Sequence, residues 1–341
     1  MSSRIVIVLL VFELFMGEAV AFNGKGFIQT KCQVRNAESL IICSNFTLTI
    51  GDIYEIQTVD FNISSHQSIE FKNCNVGIVN ENFFSKFPEA LSMSFENCKI
   101  LLSSSILPVT PRLSKLINLS FHKSTIKDHL ETNALKSLPE LKTLYLNTIQ
   151  LREKILDRYF LMNLSKLEQL SCYQCGFDRI QRGALDDLTN LTHFSYYNTN
   201  ISYVHRNMFK RNKNLKTVEF YGNKLKRIPY NFFPKSVKTL MIEKNPIALL
   251  KEFQFKKLHF LETLFLDNND IGNVHKRAFD GLKNLRTLSL SENNIKVLSK
   301  RHFKALVRLD SLRLRGNPLG TFTDKDWYKD LRVNNVNVSE E

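Results

Sequence analysis

Apolar residues recur along most of the chain in a pattern whose period is close to 24 residues. The clearest copy reads Leu285-x-x-Leu288-x-Leu290-x-x-Asn293-x-Ile295-x-x-Leu298, and Phe303 and Leu306 follow it. Units in the same frame begin 22 to 26 residues apart at His66, Ala90, Leu116, Leu141, Leu167, Leu191, Leu215, Val237, Leu261, Leu285 and Leu309. A repeat of this length predicts one stack of similar units, although a chain of 341 residues would otherwise suggest about two domains.

Within each unit, apolar residues at positions four and six alternate with polar ones and predict a short strand. Strands of adjacent units would lie about 4.8 Å apart, so eleven of them would form a curved parallel sheet roughly 50 Å long. Positions three, five and seven would line its concave side. The predicted fold class is therefore an α/β repeat solenoid, a horseshoe with a parallel concave sheet and an irregular or short-helical convex side.

Two further positions in the unit predict how the stack is held together. Position nine, where the chain leaves the strand, is Asn223, Asn245, Asn269, Asn293 and Asn317 in the last five units, and a buried amide there would satisfy backbone groups. The earlier units have Cys74, Cys98, Ser124, Ile149, Cys175 and Thr199, so we expect the N-terminal half to be looser. Position nineteen predicts a convex aromatic spine of Phe84, Phe209, Phe233, Phe255, Phe279, Phe303 and Trp327.

The N-terminal residues have the features of a secretory leader. Arg4 precedes an apolar run from Ile5 to Phe12, and Ala19-Val20-Ala21 provides a cleavage site. We therefore divide the chain into a signal peptide (1–21), an N-terminal cap (22–65), the repeats (66–332) and a terminal strand and tail (333–341). Glycosylation sequons fit a secreted, extracellular protein and begin at Asn45, Asn62, Asn118, Asn163, Asn190, Asn200 and Asn337.

The six cysteines lead to different expectations. Cys32 and Cys43 would form a disulfide that staples the cap. The Cys172-x-x-Cys175 motif occupies inward position six and position nine, so both residues are interpreted as buried small hydrophobes; a disulfide, or redox or metal chemistry, is an alternative. Cys74 and Cys98 occupy equivalent places in adjacent units, where a bridge is also feasible.

Motifs for catalysis are absent from the sequence. It has no Gly-rich phosphate loop, no H-E-x-x-H and no G-x-S-x-G, and its eight histidines lack metal-ligand spacing. We predict a protein that is not an enzyme, without catalytic residues, metal or other cofactor; a thiol-dependent enzyme is the remote alternative. We also predict no nucleic-acid partner and no membrane span, and the oligomeric state is left open.

The concave positions carry the best candidates for binding. Tyr173, Tyr197 and Tyr221 occupy position seven of three consecutive units, with Tyr145 and Phe265 at position five of nearby ones. Tyrosine supplies stiff, amphipathic contact area, although it is also simply well tolerated on sheets. Arginines and carboxylates, among them Glu219 and Glu243, face the same side, and this mixture favours an extracellular protein ligand or receptor.

Positive charge offers a second interpretation. The formal net charge is +14, and basic residues recur on the convex turns at Arg182, Arg206, Lys276, Arg277, Lys300 and Arg301. Such residues would attract acidic glycans, as in a matrix or adhesion component, or they form an ordinary solvated surface.

With this frame, the chain resembles secreted leucine-rich-repeat proteins of insects, in particular the leucine-rich immune proteins of mosquitoes and the ectodomains of Toll-like and chaoptin-like receptors. The shared features are the ladder from Asn223 to Asn317, the phenylalanine spine, the cysteines of the cap, and Cys74 and Cys98 in place of asparagine. The chain lacks the coiled coil and cysteines with which immune members dimerise, so it is most similar to a coil-less form. The resemblance implies extracellular recognition, in innate immunity or in cell contact.

Overall fold

A computed structural model describes residues 32–35, 40–47, 68–85, 87–102, 114–126, 135–151, 154–320 and 335–337. The predicted signal peptide, the sequon at Asn62 and the spine position Trp327 lie outside these residues. In chain order the strands are β1 (Cys32–Arg35), β2 (Leu40–Ser44), β3 (Ser68–Lys72), β4 (Asn75–Val79), β5 (Ser92–Glu96), β6 (Lys99–Leu102), β7 (Asn118–His122), β8 (Thr125–Ile126), β9 (Thr143–Asn147), β10 (Gln150–Leu151), β11 (Ile155–Leu156), β12 (Gln169–Tyr173), β13 (Arg179–Ile180), β14 (His193–Tyr197), β15 (Thr217–Tyr221), β16 (Thr239–Met241), β17 (Leu249–Leu250), β18 (Thr263–Phe265), β19 (Asn273–Val274), β20 (Thr287–Ser289), β21 (Ser311–Arg313) and β22 (Asn335–Asn337). The described helices are α1 (Glu81–Ser85) and α2 (Lys300–Phe303).

One 14-stranded sheet runs through the described part of the molecule, in the order β1-β2-β3-β5-β7-β9-β12-β14-β15-β16-β18-β20-β21-β22. The β1–β2 pair is antiparallel, and each later pair is parallel. The third residue of every unit pairs with the third residue of the next, as Ser68 does with Ser92 and Thr287 with Ser311. This register follows the frame of the leucine pattern, and the predicted solenoid is confirmed; β22 pairs with β21 in the frame that begins at Val333.

Shorter strands lie on the outer side of the stack. In the N-terminal units β10, β8, β6 and β4 form a second parallel sheet, and farther along β11 pairs with β13 and β17 with β19. The units that begin at Leu191 and Leu215 have no outer strand in this fully described stretch. The second sheet was not predicted, because the apolar position eleven that its strands contain is also present in units without an outer strand, as at Ile201 and Leu225.

Residues at positions four and six form the continuous core between the two sides. Leu264 and Leu266, for example, are fully buried. In the first three units position six holds phenylalanine, and the rings of Phe71, Phe95 and Phe121 stack with centroids 5.1 and 5.2 Å apart. Each unit thus covers an apolar face that its neighbour could not bury alone.

The asparagine ladder and the phenylalanine spine are both confirmed. Asn293 donates from Nδ2 to the carbonyl oxygens of Leu266 and Leu290. Its Oδ1 accepts a hydrogen bond from the backbone N–H of Ile271, in the preceding unit. The six spine phenylalanines are buried, and the rings of Phe255, Phe279 and Phe303 stack with centroids 6.3 and 6.2 Å apart. The looser N-terminal half stays a prediction.

Candidate functional site

The strands β12, β14 and β15 place their tyrosines in one row on the concave face. Tyr173 pairs directly with Tyr197, and Tyr197 with Tyr221. Ring centroids are 6.3 Å apart between the first two and 5.8 Å between the second two. Because parallel pairing in register puts the same unit position side by side, the row is continuous. We call these three residues the tyrosine row.

Acidic side chains continue the row toward the C-terminus. Glu243 and Asp267 occupy position seven in the next two units, and Glu219 at position five lies beside the tyrosines. The Tyr197 hydroxyl donates to Glu219 Oε2 at 2.5 Å, and Ser195 Oγ donates to the same oxygen at 2.6 Å. These hydrogen bonds fix the Glu219 carboxylate against the tyrosine row.

Burial and mutual repulsion set the protonation behaviour of this surface. Burial, followed by the charges of Asp267 and Glu219, raises the pKa of Glu243. Burial also raises the pKa of Asp267, although hydrogen bonds from Ser289 Oγ and from the Ser291 backbone N–H oppose it. Among the described residues none of these three carboxylates is in an ion pair. The centre of the concave face is therefore acidic and only partly compensated.

A lysine of the chain itself lies against this surface. The Lys244 Nζ lies 5.0 Å from the centroid of the Tyr221 ring. A hydrogen bond with the Tyr221 hydroxyl, with smaller contributions from the charges of Tyr221 and Glu243, raises the pKa of Lys244. Lys244 was not predicted as a site residue. Position eight is a turn residue with positive φ, most often asparagine or glycine, so the sequence indicates a turn there but not where a lysine side chain lies.

The other predicted partner-binding residues are on the same face but outside the tyrosine row. Tyr145 on β9 is 39% exposed, and its hydroxyl accepts a hydrogen bond from Asn147 Nδ2. Phe265 on β18 lies beside Met241 and Ser289 in the position-five column. Neither ring contacts the tyrosine row among the ring pairs of the described residues. The structure thus gathers Tyr173, Tyr197 and Tyr221 with Glu219 and Glu243, and leaves the other two at the edges.

The cysteines fall into three groups. Cys32 and Cys43 are joined by a disulfide between β1 and β2. Cys172 and Cys175 are buried as expected, and the structure joins them by a disulfide, which was one of the alternatives left open. Sequence position indicated burial and could not decide the bonding, which depends on the path of the turn between them.

The remaining pair, Cys74 and Cys98, is free and buried. The Cys74 thiol donates to the Lys72 carbonyl oxygen at 3.0 Å, and the Cys98 thiol donates to that of Glu96 at 3.3 Å. Hydrogen bonding to Cys74, together with burial, raises the pKa of Cys98. These thiols therefore stand in for the ladder asparagines as weak donors.

Glycan acceptors are accessible where their side chains are described. Asn45, Asn118, Asn163, Asn190 and Asn200 are all exposed. Asn337 is placed in β22. None of the helices in the described stretches has the length and hydrophobicity of a membrane span. In the same stretches no three His, Cys, Asp or Glu side chains are arranged to hold a metal ion.

Comparison with known families and structures identifies the repeat class. A family profile described as "Leucine rich repeat" matches residues 235–286 and 260–319, and one described as "BspA type Leucine rich repeat region (6 copies)" matches residues 115–241. The chain is a leucine-rich-repeat protein. No curated protein sequence matches it.

Solved structures of the leucine-rich-repeat class share its fold. A chain of the TLR13–ssRNA13 complex is 19% identical with a TM-score of 0.50, covering 87% of this chain and 54% of that one. A chain of the octameric complex of Latrophilin 3, Unc5D and FLRT2 is 16% identical with a TM-score of 0.58, covering 84% and 91%. The internalin inlF of Listeria monocytogenes is 16% identical with a TM-score of 0.52, covering 86% and 90%. The chain thus spans about half of the TLR13 chain, and identities this low show the fold alone.

Proposed function

We propose that this leucine-rich-repeat protein is an extracellular recognition scaffold that binds a protein partner through the tyrosine row and the adjoining carboxylates. The partner presents lysine or arginine side chains to this surface. The observation that carries the proposal is the composition of position seven. It is tyrosine in three consecutive units and a carboxylate in the next two, so the rings and the carboxylates form one continuous column: Tyr173, Tyr197, Tyr221, Glu243 and Asp267.

The tyrosines supply the contact area. Tyr173 is 37% exposed, and the rings of Tyr197 and Tyr221 follow at spacings close to that of the strands. Rigid aromatic side chains lose little entropy on binding, and they dominate the energy of many protein interfaces. A ring row on a rigid sheet is therefore already organised for contact.

The carboxylates indicate the charge of the partner. Burial raises the pKa of both Glu243 and Asp267, and the nearby charges of Asp267 and Glu219 raise that of Glu243 further. A cation brought by a partner would relieve this repulsion, whereas an anion would increase it. The ammonium group of Lys244 already rests on the Tyr221 ring, which supports binding of basic side chains by cation–π contact.

Export and an immune role complete the proposal. The predicted leader at residues 1–21 and the exposed sequon asparagines support secretion. The resemblance to mosquito leucine-rich immune proteins supports a role in innate immunity. Adhesion or matrix assembly through acidic glycans is the alternative.

The test compares what variants retain from the extracellular fluid of the source animal. The full secreted chain is immobilised as wild type and as the Tyr173→Ala, Tyr197→Ala, Tyr221→Ala variant. The expected result is a protein bound by the wild type and lost, by about a hundredfold in affinity, from the triple variant. Glu243→Gln is expected to weaken the same protein about threefold to tenfold.

A variant with Tyr159→Ala and Phe260→Ala is the matched control, since both residues are exposed aromatics outside the concave strands. It is expected to bind as the wild type does. The proposal would be contradicted, and the matrix alternative favoured, if the triple tyrosine variant still bound the partner protein but released it at moderate salt.

A further inference from the structure

A depression of about 930 Å³ opens on the outer side of the solenoid, away from the tyrosine row. Its walls come from equivalent turns of two adjacent units, within 202–207 of one and 226–231 of the next. We propose that this depression binds an anionic saccharide, through sulfate or carboxylate groups on the sugar. The inference does not depend on the function proposed for the concave face.

The outer segments of these two units are not paired as a ladder. Some other neighbouring outer segments are bonded, as by the Gln181 N–H to Leu156 O at 2.8 Å and the His275 N–H to Leu250 O at 2.9 Å. Here the Lys224 N–H reaches Ile201 O at 2.8 Å, and no further backbone hydrogen bond between the two turns is described. The second unit has 22 residues instead of 24, and Pro229 offers no N–H, so the ladder cannot continue.

The walls carry positive charge without a balancing carboxylate. Arg206, Lys226 and Arg227 line the depression and are exposed, and no Asp or Glu lines it. None of the three is in an ion pair among the described residues. By contrast, Arg277 on a later turn bridges Glu252 and Asp280. The depression therefore brings together three cations without an ion pair, unlike the turn around Arg277.

Two tyrosines make the depression suited to sugars. Tyr203 and Tyr230, 60% and 52% exposed, lie on its two walls. Flat rings can pack against the C–H faces of sugar rings, while arginine forks bind sulfate or carboxylate groups. The volume is within the usual range of small-molecule sites and is confined to two units. That size fits a few sugar rings better than an extended nucleic-acid strand, which requires a longer groove.

The test is calorimetric titration of the full secreted protein with a sulfated hexasaccharide. Arg206→Ala with Arg227→Ala is expected to weaken binding by at least about tenfold. Tyr203→Ala with Tyr230→Ala is expected to weaken it about threefold to tenfold and to leave its salt dependence unchanged, because no charge is removed. An uncharged hexasaccharide is expected to bind weakly or not at all.

The matched control is Arg182→Ala with Lys276→Ala. These residues are exposed at position sixteen of their units, as Arg206 is, but they do not line the depression. This control is expected to bind within about twofold of the wild type. Equal losses in the two charge variants, or no loss in the tyrosine variant, would overturn the proposal in favour of diffuse attraction.

Two further results would also overturn it. The first is tighter binding of a single-stranded RNA oligomer than of the sulfated hexasaccharide. The second concerns Asn200, whose sequon includes Ser202 on the wall of the depression. If the hexasaccharide binds only after Asn200→Gln, the chain's own glycan occupies the depression.

Discussion

Replacing Asn269 by alanine tests whether the asparagine ladder holds the solenoid together. Asn269 is 5% exposed, and its Oδ1 accepts from the Asn245 backbone N–H at 3.0 Å. Its Nδ2 donates to the carbonyl oxygens of Ile242 at 2.7 Å and Leu266 at 2.8 Å. The Leu266 oxygen keeps a second donor, Asn293 Nδ2 at 2.9 Å. The substitution therefore strands two buried groups, the Asn245 N–H and the Ile242 oxygen.

Each stranded group costs about 1–3 kcal/mol, so we expect Asn269→Ala to lower the free energy of unfolding by about 2–6 kcal/mol. At an unfolding entropy of about 2.1 cal/mol/K per residue, this corresponds to a decrease in Tm of roughly 3–8 °C for a chain of 341 residues. Thermal unfolding followed by far-ultraviolet circular dichroism gives the Tm, and hydrogen exchange measures protection of the Asn245 amide. That amide is expected to exchange much faster in the variant.

Asp270→Ala provides the control, because Asp270 is an exposed neighbour in the same turn. We expect its Tm to stay close to that of the wild type. A loss below about 1 kcal/mol in Asn269→Ala, or an Asn245 amide that exchanges at the wild-type rate, would refute the ladder argument.

Four shorter predictions address other parts of the fold. Tyr196 is fully buried, and its hydroxyl has no hydrogen-bond partner among the residues that the structure describes. Tyr196→Phe is therefore expected to raise stability by about 1 kcal/mol in chemical denaturation, and a loss of stability would contradict this. The pKa of Glu243 is raised in the folded protein, so its ionised form lowers stability at high pH, and this penalty disappears at low pH. Glu243→Gln should therefore raise Tm at about pH 7.5 and have the Tm of the wild type near pH 4. A Tm difference that does not change with pH would contradict this. Gly281 has φ +98°, and a Cβ there would collide with the Lys256 backbone, so Gly281→Ala should lower Tm. Gly320→Ala should have little effect, because a Cβ there would lie 3.7 Å from the nearest atom. Equal Tm values for the two variants would be inconsistent with the collision at Gly281. Four of the six cysteines are paired, in the Cys172–Cys175 disulfide and in the disulfide of the cap. The protein denatured without reductant should therefore have two reactive thiols. A count of four thiols would mean that one of these disulfides is missing.

The sequence predicted the sheet well because the residues that determine it repeat. Position three of each unit pairs with position three of the next from Ser68 to Asn335, as the leucine frame requires. A shift of one residue in strand pairing would turn residues such as Leu264 out of the core, so the hydrophobic pattern permits only one pairing register. The tyrosine row follows from the same register.

The outer side was less predictable, for a physical reason. Its turns make few repeated contacts, so their path depends on unit length and on single residues such as Pro229. The depression between 202–207 and 226–231 combines residues whose sequence spacing shows no motif. The Cys172–Cys175 disulfide could only be named as an alternative, since unit position predicts burial but not the bond.

The two proposed sites explain why the overall charge is a poor guide to the partner. Lys and Arg outnumber Asp and Glu by 47 to 33, yet the centre of the concave face is acidic at Glu219, Glu243 and Asp267. On the outer turns, Arg206, Lys226 and Arg227 come together around one depression with no carboxylate in its lining. Since exposed charges separated by more than about 10 Å are largely screened in physiological salt, each surface attracts ligands by its local charge. A basic protein segment and an anionic saccharide would therefore bind to opposite sides of the solenoid without competing.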